Sequence, residues 1–97
     1  MKGIRWKEAA AVEAENAAAW YDERSERGGK RFLEAMWAAI SLVRDYPEAG
    51  TPHRLPVRRV VFRTFPYSLL YVPERDSIYV VAVMHDRIMP VRWEEPL

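Results

Sequence analysis

The apolar pattern of this chain changes period once, across the segment from Pro47 to Pro56, and that change limits the folds open to it. Before the segment, apolar residues recur at helical spacing; after it, they fall into short β-rich runs. Pro47, Gly50, Pro52 and Pro56 punctuate the segment and mark an ordered loop rather than a linker. With 97 residues and one such switch, the chain is expected to form a single domain spanning 1–97, helices first and most of the sheet afterwards. A core of that size can support one fold but not a deep cavity enclosed by the protein alone.

The residues define the elements. Gly3 to Trp6 is a short candidate first strand. From about Glu8 to Arg24 the chain is rich in alanine and free of Gly and Pro, which favours helix. Ala10, Ala14, Ala17 and Tyr21 share one face of it, a small-residue stripe that lets a second helix approach closely. The run Ser25-Glu26-Arg27-Gly28-Gly29 breaks this helix, and Ser25 is the expected N-cap of the next. The second helix carries Phe32, Met36, Ile40 and Val43 as its main stripe and ends before Pro47, which disfavours helical geometry at Tyr46. So short a break implies an antiparallel hairpin. Three strands are expected beyond the loop, near Val57–Arg63, Tyr67–Val72 and Ile78–Met84, joined as an antiparallel meander. The expected fold class is α+β: an N-terminal strand and an antiparallel helical hairpin packed on an antiparallel sheet.

Strand alternation then sorts the candidate functional side chains. It places Arg59 and Arg63 on one side of their strand, and His85 on the side of Tyr79, Val81 and Val83, with Arg87 following. Two arginines on one face are costly to bury unpaired, so they are expected to line an open face or groove, or else to be simply solvated, with Arg63 pairing Asp86 or Glu74. His85 ends an apolar strand, where a structural hydrogen-bonded histidine is the commoner case; Arg87 beside it adds the option of phosphate binding. The charge balance supports the same region. There are 8 basic and 9 acidic residues up to Gly50, but 7 basic and 3 acidic from Thr51 to Arg92.

Several classes of function are disfavoured. Cysteine is absent, so disulfide scaffolds and thiolate chemistry are excluded. His53 and His85 lie 32 positions apart with no other soft ligand, and no metal or cofactor motif is present. No apolar run approaches the roughly 20 residues of a membrane span, and no signal-peptide pattern opens the chain, so a cytoplasmic location without membrane contact is expected.

Five segments in order resemble the RelE/ParE family of bacterial toxins, closer to its ParE-like branch. Ala17-Ala18-Ala19-Trp20-Tyr21-Asp22-Glu23-Arg24 is similar to the end of the family's first helix. Gly29-Lys30-Arg31-Phe32-Leu33-Glu34-Ala35 resembles the start of its second. Tyr46-Pro47-Glu48-Ala49-Gly50 resembles the helix exit, Phe65 to Tyr71 the central strand, and Val81 to Arg87 the last strand. The resemblance implies a growth-inhibiting toxin neutralised by a cognate antitoxin. It leaves three readings, in order of weight: a ParE-like protein that poisons a target such as DNA gyrase by binding; a RelE-like nuclease that cleaves mRNA in the ribosome; and an antitoxin-binding module that has lost toxicity. Arg59, Arg63, His85, Arg87 and Trp93 are the candidate target-binding residues. In the nuclease reading His85 and Arg87 are the catalytic candidates. Two departures count against that reading: Ser68 stands where ribosome-dependent nucleases often carry arginine, and the tail has Ile88 and Arg92 where they tend to carry arginine and tyrosine.

Overall fold

The computed structural model describes residues 2–87. Its elements are β1 (Gly3–Trp6), α1 (Glu8–Arg24), α2 (Gly28–Asp45), β2 (Thr51–Pro52), β3 (Arg58–Val61), β4 (Tyr67–Pro73) and β5 (Ser77–His85). The five strands form one sheet in the order β1-β5-β4-β3-β2. The expected meander β3-β4-β5 is antiparallel throughout. The first strand joins it differently: β1 lies parallel to β5, with Ile4 opposite Ile78 and Trp6 opposite Val80. This strand–hairpin–meander arrangement is the α+β fold read from the sequence. The two-residue β2, which pairs with the start of β3, lies inside the loop and is too short to leave a sequence signal.

Ala10, Ala14 and Ala17 on α1 meet Phe32, Met36, Ile40 and Val43 on α2 and the inward residues Val60, Phe62, Leu69, Tyr71, Ile78, Val80 and Val83 of the sheet side. The small-residue stripe of α1 thus faces the core, as its spacing predicts. The helical turn departs from the expected capping by Ser25. Ser25 is extended and its N–H bonds to Tyr21 O, so it ends α1 instead of capping α2. The residue before α2 is Arg27, in the left-handed region at φ 61°. Gly28 and Gly29 do more than interrupt. A Cβ on Gly28 would lie 2.3 Å from the Tyr21 carbonyl oxygen, and one on Gly29 would lie 2.8 Å from that of Ala18. The two helices touch backbone to backbone there, which only glycine permits.

The loop is fixed from inside. The buried Tyr71 hydroxyl donates to Pro47 O at 2.7 Å and accepts the Gly50 N–H at 2.9 Å. Burial, the largest influence on this phenol, raises its pKa. Strand β5 also departs from the expected alternation. The register slips between Leu70, opposite Ala82, and Tyr71, opposite Val80, so Val81 bulges. Two residues on the bulged strand oppose one position, which reverses the alternation beyond it. Val81 therefore joins Ala82 and Met84 on the face away from the helices, while Val83 turns into the core. The expected grouping of Tyr79, Val81, Val83 and His85 on one face does not hold.

Candidate functional site

The candidate residues divide into three places. Arg59 lies in β3 on the sheet face remote from the helices, and its charge is already engaged. Its Nε donates to Ser68 Oγ at 2.9 Å and its guanidinium reaches Asp86 Oδ1 at 3.3 Å. Ser68 is fully buried, and its hydroxyl donates to the same Asp86 oxygen at 2.7 Å. One carboxylate thus receives a hydroxyl and a guanidinium, and the serine bridges them. Such charge-assisted contacts are stronger than neutral ones. Asp86 pairs with Arg59 instead of Arg63. Glu74, the other acid considered for Arg63, pairs with Arg5 at 2.8 Å.

Arg63 is exposed and lies beyond β3, which ends at Val61. The chain turns at Thr64, with φ 62°, and the Thr64 hydroxyl donates to Arg63 O at 2.6 Å. Arg59 and Arg63 therefore do not sit on one regular strand as alternation suggested, and no shared contact joins them among the described residues.

His85 ends β5. Its ring stands edge-on to Tyr67 with centroids 5.2 Å apart, and its Nδ1 accepts the backbone N–H of Arg87 at 3.1 Å. A nitrogen that accepts carries no proton, so in the neutral ring the proton sits on Nε2. Arg87 is exposed, in the turn after β5. Trp93 lies outside the described residues. His85 and Tyr67 form one end of a groove of about 450 Å³, whose other walls include Glu13, Asn16, Trp20 and Tyr21 of α1. Trp20 is 49% exposed there, and the Arg24 guanidinium stacks 3.9 Å from its ring centre. Burial, and after it the neighbouring Tyr21, raises the pKa of Tyr67. The groove thus combines aromatic faces with one imidazole, an arrangement suited to holding an apolar or planar side chain.

Two features escaped the sequence reading. Glu13 Oε1 accepts the Val83 N–H at 2.9 Å, where β5 runs past the end of β1. A helix side chain so closes a sheet edge, a pairing hidden by a separation of 70 positions in the sequence. The second is a shallow groove of about 560 Å³ on the outside of the helical hairpin, lined by Ala18, Ala19, Gly29, Leu33 and Trp37. Trp37 is 48% exposed, with its ring edge-on to Trp6 at 6.0 Å. The signal was present in Leu33 and Trp37, which flank the core stripe of α2. Among the described residues no cluster of His, Cys, Asp or Glu could hold a metal, and no helix is long and apolar enough to cross a membrane.

The helical hairpin laid over the meander, with an apolar groove on its outer side, defines a small α+β domain. The chain belongs to the family described as the ParE toxin of type II toxin–antitoxin systems, parDE, whose model matches residues 4–90. It is accordingly the toxin component of such a system, with a cognate antitoxin as partner. Among solved structures it is similar to a chain of the chromosomal ParDE toxin–antitoxin system from P. aeruginosa, at 20% identity and a TM-score of 0.63, with 88% of this chain and 96% of that one covered. No curated protein gives a significant sequence match.

Proposed function

We propose that this toxin arrests growth in the cytoplasm by binding a protein target such as DNA gyrase, as one domain spanning 1–97, and that it does not cleave RNA. The observation that carries the reading is the Arg59–Ser68–Asp86 network. The position that resembles a nuclease arginine holds a buried serine, and the nearest basic side chain is neutralised by a carboxylate. A phosphate approaching Arg59 would have to displace Asp86 and meet its negative charge. Arg63 and Arg87, both exposed, remain available to meet an acidic target surface, with Trp93 as an apolar contact. The antitoxin occupies the outer hairpin groove through an amphipathic segment, because Leu33 and Trp37 present apolar surface beside small residues that admit a helix.

The test is induction of the chain without its antitoxin. Expected results are a DNA-damage response and loss of supercoiling by purified gyrase, with transcripts left intact in primer-extension maps. Codon-positioned cuts that vanish in His85→Ala would overturn the proposal in favour of a nuclease with His85 and Arg87 as its catalytic pair.

A further inference from the structure

The groove between α1 and the end of β5, about 450 Å³, falls in the range of roughly 300–1,000 Å³ in which proteins hold small groups. Trp20, Tyr21, Tyr67 and His85 make its aromatic walls. These rings are fixed by the fold. Trp20 stands edge-on to Tyr21 at 5.0 Å, and Arg24 lies over its ring while donating to Trp20 O at 2.9 Å. Tyr21 in turn meets Phe65 at 4.8 Å and stacks on the buried Phe32 at 5.5 Å. Trp20 still keeps half its surface in water. A large ring held rigid and left half exposed can be covered by a partner at little further cost in ordering.

Polar groups narrow what fits. Asn16 lines the groove and is exposed. His85 keeps a donor at Nε2, because its Nδ1 accepts the Arg87 N–H. Aromatic walls with polar groups beside them suit a ring that is apolar in its body and polar at its tip, that of tyrosine or tryptophan. Entry is through a side chain and not through an added strand, since Glu13 already accepts the Val83 N–H that an incoming strand would use.

The charge around the groove selects the rest of the partner. Arg24 borders it through Trp20, the turn bearing exposed Arg63 packs on it through Phe65, and exposed Arg87 lies two residues after His85. The carboxylates nearby are Glu23, 3.6 Å from Arg24, and Glu13, turned to Val83. Acidic residues on either side of an entering ring complement these arginines. A nucleic-acid strand would match them too, but it offers a run of bases to a single groove and brings phosphates against Glu13.

We propose that this groove is the anchor site for the toxin's protein target, taking one tyrosine or tryptophan side chain from an acidic segment whose carboxylates meet Arg24, Arg63 and Arg87. The inference rests on the reading of the chain as a protein-binding inhibitor and names the chemistry of what it binds. It also puts the two partners on different faces of α1, the antitoxin beside Ala18 and Ala19 and the target beside Asn16 and Trp20.

The probe is a five-residue peptide, blocked at both ends, with one tyrosine between two pairs of aspartates. It is titrated into isotope-labelled full-length toxin and followed by NMR. Saturable shifts are expected at the Trp20 indole N–H, the His85 ring and the Arg87 amide. Binding should weaken about tenfold or more when alanine replaces the peptide's tyrosine, when lysines replace its aspartates, and in Trp20→Ala. Asn16→Trp, at an exposed position on the groove wall, should give the same loss without removing any packed ring. Trp37→Ala should bind as the parent does. Absence of a saturable shift, equal binding by the alanine peptide, unchanged binding in both groove variants, or shifts centred on Trp37 would overturn the proposal. Tighter binding of a short poly-thymidine strand at the same signals would overturn it in favour of nucleic acid. The titration contains no gyrase, so its failure is distinct from a failure of the supercoiling assay.

Discussion

Ser68 shows how one small side chain redirects a basic one. Set between Tyr67 and Leu69 in a strand, it faces the sheet side remote from the helices, where Arg59 from β3 and Asp86 from the end of β5 converge on it. Asp86→Asn should leave the half-buried guanidinium without its counter-charge. Chemical denaturation should show a loss of about 1–3 kcal/mol, the range for a charged hydrogen bond with an under-satisfied partner. An unchanged midpoint would mean that water replaces the carboxylate at no cost. The second pair is sensitive to pH. Hydrogen bonds from Arg5 and Ser77 bring the Glu74 pKa down from 4.5 to about 2. Because the folded pKa is the lower one, the unfolded chain binds more protons in this window. The contribution is therefore complete above pH 4.5 and is lost as pH falls toward 2. Thermal melts between pH 5 and 2 should fall less steeply for Glu74→Gln than for the parent, and added salt should narrow the difference.

At the scale of elements, the hairpin turn and the β5 edge are the points where one side chain governs an interface. Gly28→Ala tests opposing effects. Alanine favours helix by about 1 kcal/mol over glycine. The added methyl would press on the Tyr21 carbonyl at 2.3 Å, and backbone cannot yield as a flexible side chain does. Overpacking of this kind costs about 1–3 kcal/mol or more, so the variant should melt below the parent despite its better propensity. At the edge, Glu13→Ala should expose the Val83 N–H. An unprotected strand edge invites pairing with another chain. Light scattering at rising concentration should detect greater self-association than in the parent, and Glu13→Gln, which keeps an acceptor oxygen, should remain closer to it. Equal behaviour of both variants would show that edge closure does not depend on this side chain.

For the molecule as a whole, the outer hairpin surface bears on partnership more than on stability. Trp37 keeps nearly half its surface in water, so truncating it removes little core packing, although its contact with Trp6 is lost. If it anchors the antitoxin, Trp37→Ala should weaken that complex by about 2 kcal/mol, roughly thirtyfold in Kd, which calorimetric titration can read. The melting temperature of the free toxin should move far less. Equal losses in both would assign Trp37 to the fold alone.

The order of the elements was legible in sequence because it depends on local rules. Alanine-rich spacing made α1, Pro47 ended α2, and polar breaks near Phe65-Pro66 and Pro73–Ser77 separated the strands. The helical face of the core followed from the same periodicities. The site was less legible, because its contacts join residues that no local rule connects. Arg59 was selected for its charge, yet only the sheet register brings Asp86 and Ser68 to it and neutralises that charge. The bulge at Val81 depends on how β4 and β5 twist together, so strict alternation placed Val83 on the wrong face. The parallel alignment of β1, the Glu13 contact with Val83 and the helix-free apolar face were likewise decided in three dimensions. Sequence alone determined where the chain turns and which stripes of the two helices face the core. Tertiary structure decided which charges meet, because Coulomb and hydrogen-bond energies depend on separations of a few ångströms that chain order does not encode.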